Sequence, residues 1–160
     1  MEKSESSLYD LLKNFDIAML VTHHSRKMHA RPMAIARLDK EMVTYLLTDL
    51  DSVKVHEINE NPDASLTFQS SSQFASLKGE VTVSHERELL ETMWKEIWKV
   101  WFPLGKADPN IAIIKFTPYE GEFWDNAGMQ GIKYVYGAAK AYITGERPTL
   151  DSNQHNKIKL

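Results

Sequence analysis

Short runs of apolar and β-branched residues, at 17–21, 28–37, 42–48, 64–68, 74–83, 111–116 and 121–124, constrain this chain more than any other feature. Most follow one another across polar turns such as His24-Ser25 and Leu38-Asp39-Lys40, with no helix between them. Parallel strands need a crossover connection at every step, so this order points to an antiparallel meander, mainly β. Pro118 carries no N–H for a ladder and is expected to break the last two runs apart.

Helical spacing marks the flanks. Leu8, Leu11, Leu12 and Phe15 make one face of a helix expected over 5–15, with Ser4, Ser6 and Ser7 as candidate N-caps. Ser52 can cap a second helix near 52–60, which must stop before Asn61-Pro62. The clearest helix is expected over 86–101, where Leu90, Met93, Trp94, Ile97, Trp98 and Trp101 share a stripe and Pro103 and Gly105 terminate it. A weaker helix over 134–144 and a polar tail complete the segment 129–160. One domain over 1–160 is expected, with a barrel at 17–125.

Composition removes several function classes. Nineteen basic residues against 22 acidic ones give a net charge of -3 and no basic stripe, which argues against a nucleic-acid partner. No apolar run reaches the roughly 20 residues of a membrane span, and the start MEKSESSLYD lacks the pattern of a secretory leader, so a cytoplasmic location is expected. With no cysteine, the chain has no disulfide, thiol nucleophile, thiolate zinc site or iron-sulfur cluster. Any redox chemistry needs a cofactor.

The most informative constellation pairs Arg31-Pro32-Met33 with Thr48, Ser52 and Lys54. Neighbouring antiparallel strands would bring Arg31 and Thr48 to one sheet, and the chain then enters a helix start carrying Ser52 and Lys54. A phosphate there would meet free backbone N–H groups, hydroxyl donors, a planar guanidinium and a mobile ammonium. The strand edge near Met33 would offer backbone groups to a flat ring. Spacing alone leaves the plainer alternative open, in which Arg31 and Lys54 are surface cations and Ser52 is only an N-cap.

Arg31-Pro32-Met33 followed by TDLDSVKVHEINENPDASLTF resembles the split-barrel flavoproteins related to pyridoxamine 5'-phosphate oxidase, residue for residue at Arg31, Thr48, Ser52, Lys54, Asn61 and Pro62. The later order of Lys78-Gly79-Glu80, a Trp-rich helix, WFPLGKADP, IAIIKF, GEFWD and AAKAYITGERP is similar to the general stress protein 26 group within it. The resemblance runs from about residue 8 to 148. It implies an antiparallel FMN-binding split barrel, a homodimer with the flavin site at the interface, and cofactor contacts from Arg31, Pro32, Met33, Leu47, Thr48, Ser52 and Lys54. Trp124 in GEFWD would approach the partner's cofactor.

Two departures narrow the implied activity. The vitamin B6 oxidase ends in an Arg-x-His signature that holds its substrate, whereas this chain ends in DSNQHNKIKL. Where the oxidase has a flavin-contacting Gln, this chain has Phe74, with Gln73 one residue earlier. A flavin-dependent oxidoreductase of unknown substrate is therefore expected, not a pyridoxamine 5'-phosphate oxidase. A flavin-binding stress or sensor protein without turnover is the alternative, and deazaflavin F420 or haem occupies the same barrel in relatives.

Other residues are weaker candidates. Trp94, Trp98 and Trp101 could form a lid over a flavin or a buried stripe, and burial is the commoner use of such spacing. The aromatics between 94 and 124, Phe102 and Phe116 among them, exceed what one small core readily hides and favour a large apolar interface. His23, His24, His29, His56 and His85 show no metal-ligand spacing, no GxGxxG is present, and no serine has a nucleophile elbow. Glu57 and Glu60 are expected on a solvated helix face.

Overall fold

The computed structural model describes residues 3–127 and 155–160, with Lys140, Ile143 and Gly145 between them. Helix α1 (Lys3–Leu12) leads into β1 (Ile17–His24), β2 (Lys27–Leu38) and β3 (Thr44–Asp49). Helix α2 (Val53–Glu60) then precedes β4 (Asp63–Gln69) and β5 (Gln73–Ser84). A covering segment holds α3 (Arg87–Met93) and two 3-10 turns, Glu96–Val100 and Gly105–Ala107, before β6 (Ile111–Asp125) and β7 (His155–Lys159).

Every pairing is antiparallel, in the order β3-β2-β1-β4-β5-β6-β7, and β3 also pairs with β6. That last pairing closes six strands into the barrel that the meander pattern implied. Alternation sends Leu20, Leu46, Leu66, Phe68, Leu77, Val81, Ile114 and Phe116 inward, where they form the main core. Leu8, Leu11 and Leu12 of α1 join it. A second cluster lies outside the wall: Tyr45, Ile111 and Ile113 pack beneath Leu90, Met93, Trp98 and Phe102 of the covering segment. Ile111, Ala112, Ile113 and Ile114 are therefore apolar on successive residues because both faces of the strand are covered there, and Lys115 is exposed where that cover ends.

Four sequence expectations need correction. First, Pro118 does not split β6. It lies after β3 has ended its pairing at Phe116 and before β7 begins at Glu120, opposite a register shift at Lys78/Gly79, so the missing N–H falls in a gap of the ladder. Second, the helix over 86–101 stops at Met93. Trp94 and Lys95 are extended (ψ 133° for each), and a 3-10 turn follows. The break lets Trp94 meet Trp98 edge to face, with ring centroids 5.9 Å apart, and lets Trp94 Nε1 donate to Glu96 at 3.0 Å. Trp, Ile and Val are weak helix formers, so packing overrides the periodic stripe.

Third, α1 begins earlier than expected, so Ser4, Ser6 and Ser7 sit within it, and Phe15 lies beyond its end, edge to face with Phe68 at 5.6 Å. Fourth, the polar terminus is not all tail: His155–Lys159 adds a strand to β6, with Ile158 buried. Most of the helix expected over 134–144 lies outside the described residues. Among the described residues no helix is long and apolar enough to cross a membrane.

Gly79 is fixed by close approach. A Cβ there would come within 2.3 Å of the Thr117 carbonyl oxygen and 2.9 Å of Pro118 Cα. Backbone cannot yield as a flexible side chain can, so Gly79→Ala should lower the urea-unfolding free energy by about 1–3 kcal/mol, the usual range for overpacking. An unchanged midpoint would mean that the bulge shifts freely.

Candidate functional site

Period-two alternation on β2 puts His29, Arg31 and Met33 on one face, opposite Thr22, Leu20 and Ala18 of β1. Toward the core this face is apolar at Met33, Leu20 and Ala18. Toward the hairpin it is polar, and helix α2 lies across it. From α2 the carboxylate of Glu57, only 2 % exposed, is buried against Thr22, His29 and Arg31. Thr22 Oγ1 donates to Glu57 Oε2 at 2.5 Å, and Arg31 Nη2 donates to the same oxygen at 2.7 Å. Arg31 Nη1 donates to Thr22 Oγ1 at 2.5 Å, and His29 Nδ1 meets Glu57 Oε1.

Glu57 is thus not the solvated helix-face residue expected from sequence. Its periodicity within α2 puts it beside Val55 and Ile58 on the covered side, and the short helix has no apolar stripe clean enough to reveal that. Glu60 does remain exposed, with His24 Nδ1 2.6 Å away. His29, dismissed as a metal ligand, is part of this network instead. Among the described residues no group of His, Asp and Glu could hold a metal ion.

One turn before Glu57 on the same helix, Lys54 Nζ donates to Thr48 Oγ1 at 2.9 Å, and Thr48 and Ser52 hydroxyls lie 3.1 Å apart. Ser52 occupies the N-cap position, as expected, but makes no side-chain cap bond; its hydroxyl serves Thr48 instead. The start of α2 has no side-chain acceptor at its cap, an arrangement that favours an anion, although the Val55 N–H already donates to the Ser52 carbonyl oxygen at 3.0 Å.

Charges around this point are strongly coupled. Burial lowers the pKa of the Lys54 ammonium, and the nearby Arg31 guanidinium lowers it further, so two cations are held close enough to repel. Burial alone would push the Glu57 carboxyl up, but hydrogen bonds from Thr22, His29 and Arg31, with the Arg31 charge, hold it down at about 2. The Asp49 and Glu57 carboxylates oppose the lowering at Lys54, so two cations and two carboxylates share this corner of the fold.

A cavity of about 350 Å³ opens beside the pair. Pro32, Met33 and Ala34 of β2 line one side, Leu47, Thr48 and Asp49 of β3 continue it, and Lys54 closes one end. Trp98, Trp101 and Phe102 of the covering segment form the other wall, with Ile17 at the edge. The stripe that could be lid or core serves as each in part: Trp98 is 5 % exposed and joins the outer cluster, whereas Trp101 is 62 % exposed beside the cavity.

Of the residues singled out from sequence, Pro32, Met33, Leu47, Thr48 and Lys54 therefore meet at one cavity, with Ser52 bonded to Thr48. Arg31 adjoins them from under α2 without lining the wall. Trp124 stands apart, at the opposite end of β6 from the β3 pairing, facing Phe74 and His155 across the ladder. Sequence reasoning missed Ile17, Ala34, Asp49 and Phe102, which carry no motif and reach the cavity only through register.

The sequence profile of the family described as "Pyridoxamine 5'-phosphate oxidase like" matches residues 3–149. This chain belongs to that family. Solved structures share its fold. One from Jannaschia sp. CCS1, described provisionally as a general stress protein 26, superimposes with a TM-score of 0.77 at 24 % identity over 100 % of each chain. A protein related to general stress protein 26, from Clostridium acetobutylicum, gives 0.72 at 18 % identity over 100 % of this chain and 96 % of that one. The general stress FMN/FAD binding protein from Xanthomonas citri gives 0.68 at 21 % identity over 79 % of this chain and 92 % of that one. No curated protein sequence matches.

Glu57 links this geometry to pH. Its carboxyl is held at about 2 against an ordinary value of 4.5, so its stabilisation is complete above pH 4.5 and is lost as pH falls through that window toward 2. The difference amounts to on the order of 3 kcal/mol. Glu57→Gln should lower stability at neutral pH and flatten the acid limb; parallel acid limbs in urea-unfolding series would refute this assignment.

Proposed function

We propose that this chain binds FMN and acts as a cytoplasmic, homodimeric flavin-dependent oxidoreductase. The observation that carries the reading is the meeting of Lys54, Thr48, Ser52 and the start of α2, with Arg31 behind them, at one end of an apolar-walled cavity. A phosphate monoester suits the first part and a flat ring suits the second. The residues fit the cofactor: Lys54 and Arg31 would hold the phosphate charge, Thr48 and Ser52 would supply hydroxyls, and the Pro32-Met33-Ala34 backbone with Trp98 and Trp101 would flank the ring. Family membership and the FMN/FAD binding described for the Xanthomonas citri protein support the same choice.

Bound flavin would supply hydride or electron transfer, and the chain would bind and orient it. The cavity wall is mostly apolar, and its titrating side chains are Asp49 and Lys54. This favours, as a second reading, a flavin carrier or sensor without turnover. NAD(P)H oxidation by the loaded protein, measured against free FMN, separates the two: a rate no faster than that of free FMN assigns a carrier.

Support for the homodimer comes from exposed apolar side chains. Ile97, Val100, Trp101 and Leu104 are 65 %, 70 %, 62 % and 74 % exposed along the covering segment beside the cavity. Trp98, Phe102 and Phe116, counted from sequence as aromatics in need of an interface, are buried within the chain and do not add to this support. A second copy would also bring in Trp124. A monomeric mass in light scattering would refute the dimer.

Lys54→Ala should weaken FMN binding by about tenfold or more, the value of a charge-assisted contact, and leave riboflavin binding nearly unchanged. Fluorescence quenching titrations give each constant. Wild-type protein that quenches neither flavin would end the proposal.

A further inference from the structure

Glu57 has no place in the cavity wall, yet it is the most buried charged side chain near it. Its Oε2 accepts from Arg31 Nη2 at 2.7 Å and from Thr22 Oγ1 at 2.5 Å, and Thr22 Oγ1 in turn accepts from Arg31 Nη1 at 2.5 Å. The guanidinium is therefore gripped at each Nη by a closed three-member network, while His29 occupies the remaining carboxylate oxygen. Lys54 lies one turn away on the same helix, so the element that carries the mobile ammonium also fixes the guanidinium.

We infer that Glu57 is a positioning residue of the phosphate subsite, holding the Arg31 guanidinium against Thr22 so that its remaining N–H donors stay directed at a phosphate monoester beside Lys54. The inference rests on the FMN reading above. An Arg side chain has many rotamers and loses substantial entropy when ordered, so a guanidinium ordered before the ligand arrives binds it more tightly than a free one. A carboxylate nearby also weakens an anion's attraction, which sets two effects in opposition. The network geometry decides for positioning, because without its buried acceptor the guanidinium would leave for water.

The test compares FMN with riboflavin, which shares the ring and ribityl chain but lacks the phosphate. If Glu57 positions Arg31, Glu57→Ala lowers FMN affinity by about tenfold, the loss of one oriented charge-assisted hydrogen bond, and leaves riboflavin affinity unchanged. Glu57→Gln, which keeps an acceptor for Arg31, restores affinity to within about threefold of wild type. In an Arg31→Ala background Glu57→Ala has no further effect on FMN. A purely structural role would lower the two affinities together and would persist in that background.

Should Glu57→Ala fail to fold, Thr22→Val removes the hydroxyl that bridges the pair and should cost about threefold for FMN alone. FMN selectivity that survives these substitutions, or FMN binding that tightens in Glu57→Ala, overturns the inference and leaves the FMN reading standing. A wild type that binds FMN no better than riboflavin overturns the phosphate reading itself, and this inference with it.

Discussion

The pairing of β3 with the first half of β6 closes the sheet, and everything else about the site hangs from that closure. Thr48 stands opposite Ala112 because β3 runs beside Ile111–Phe116, and the chain leaves β3 at Asp49 directly into the Ser52 N-cap. Closure seats the start of β6 beside β3, and Ile111 and Ile113 face outward without facing water because the covering segment lies on them. The same covering segment supplies Trp98, Trp101 and Phe102 to the cavity. A single long-range pairing thus sets one wall, one end and the lid side of the candidate site.

Much of this was legible because it depended on local pattern. Strand runs, the α2 boundary at Asn61-Pro62 and the meeting of Thr48, Ser52 and Lys54 follow from period-two alternation and spacing within a few residues. The misses arose where distant contacts decide. Pro118 should break a strand, and it is tolerated because β3 ends and β7 begins on either side of it, a fact held in residues far away in sequence. The Trp stripe at 94, 98 and 101 has helical period, yet Trp94 gains more from Trp98 and Glu96 than from continuing the helix. Ile17 and Ala34 face each other in the β1–β2 register and reach the cavity with no signal of their own.

Glu57 shows a different limit. A glutamate on an eight-residue helix flanked by Glu60 and Lys54 has the composition of a solvated face, and charged side chains are rarely buried without partners. The partners here lie on two strands of the barrel, Thr22 on β1 and His29 with Arg31 on β2. A residue's burial depends on what packs over it, and for a short helix between strands that is a property of the closed barrel.

Taking a carboxylate and a guanidinium out of water costs several kcal/mol per ion, and a well-packed apolar pair of similar size is often as stable or more so. α2 could be held to β1 and β5 by Val55 and Ile58 alone, which are already buried at 4 % and 3 % exposure. An ion pair adds little to the anchoring of α2 that a leucine could not supply. It does something a leucine cannot: it keeps a guanidinium charge close enough to Lys54 to add to the lowering of that ammonium's pKa by burial, against the opposing charges of Asp49 and Glu57. A bound dianion would relieve the repulsion between Lys54 and Arg31 that these carboxylates leave. The cluster stabilises the fold through Glu57, and its pair of cations would also suit the phosphate of the proposed cofactor.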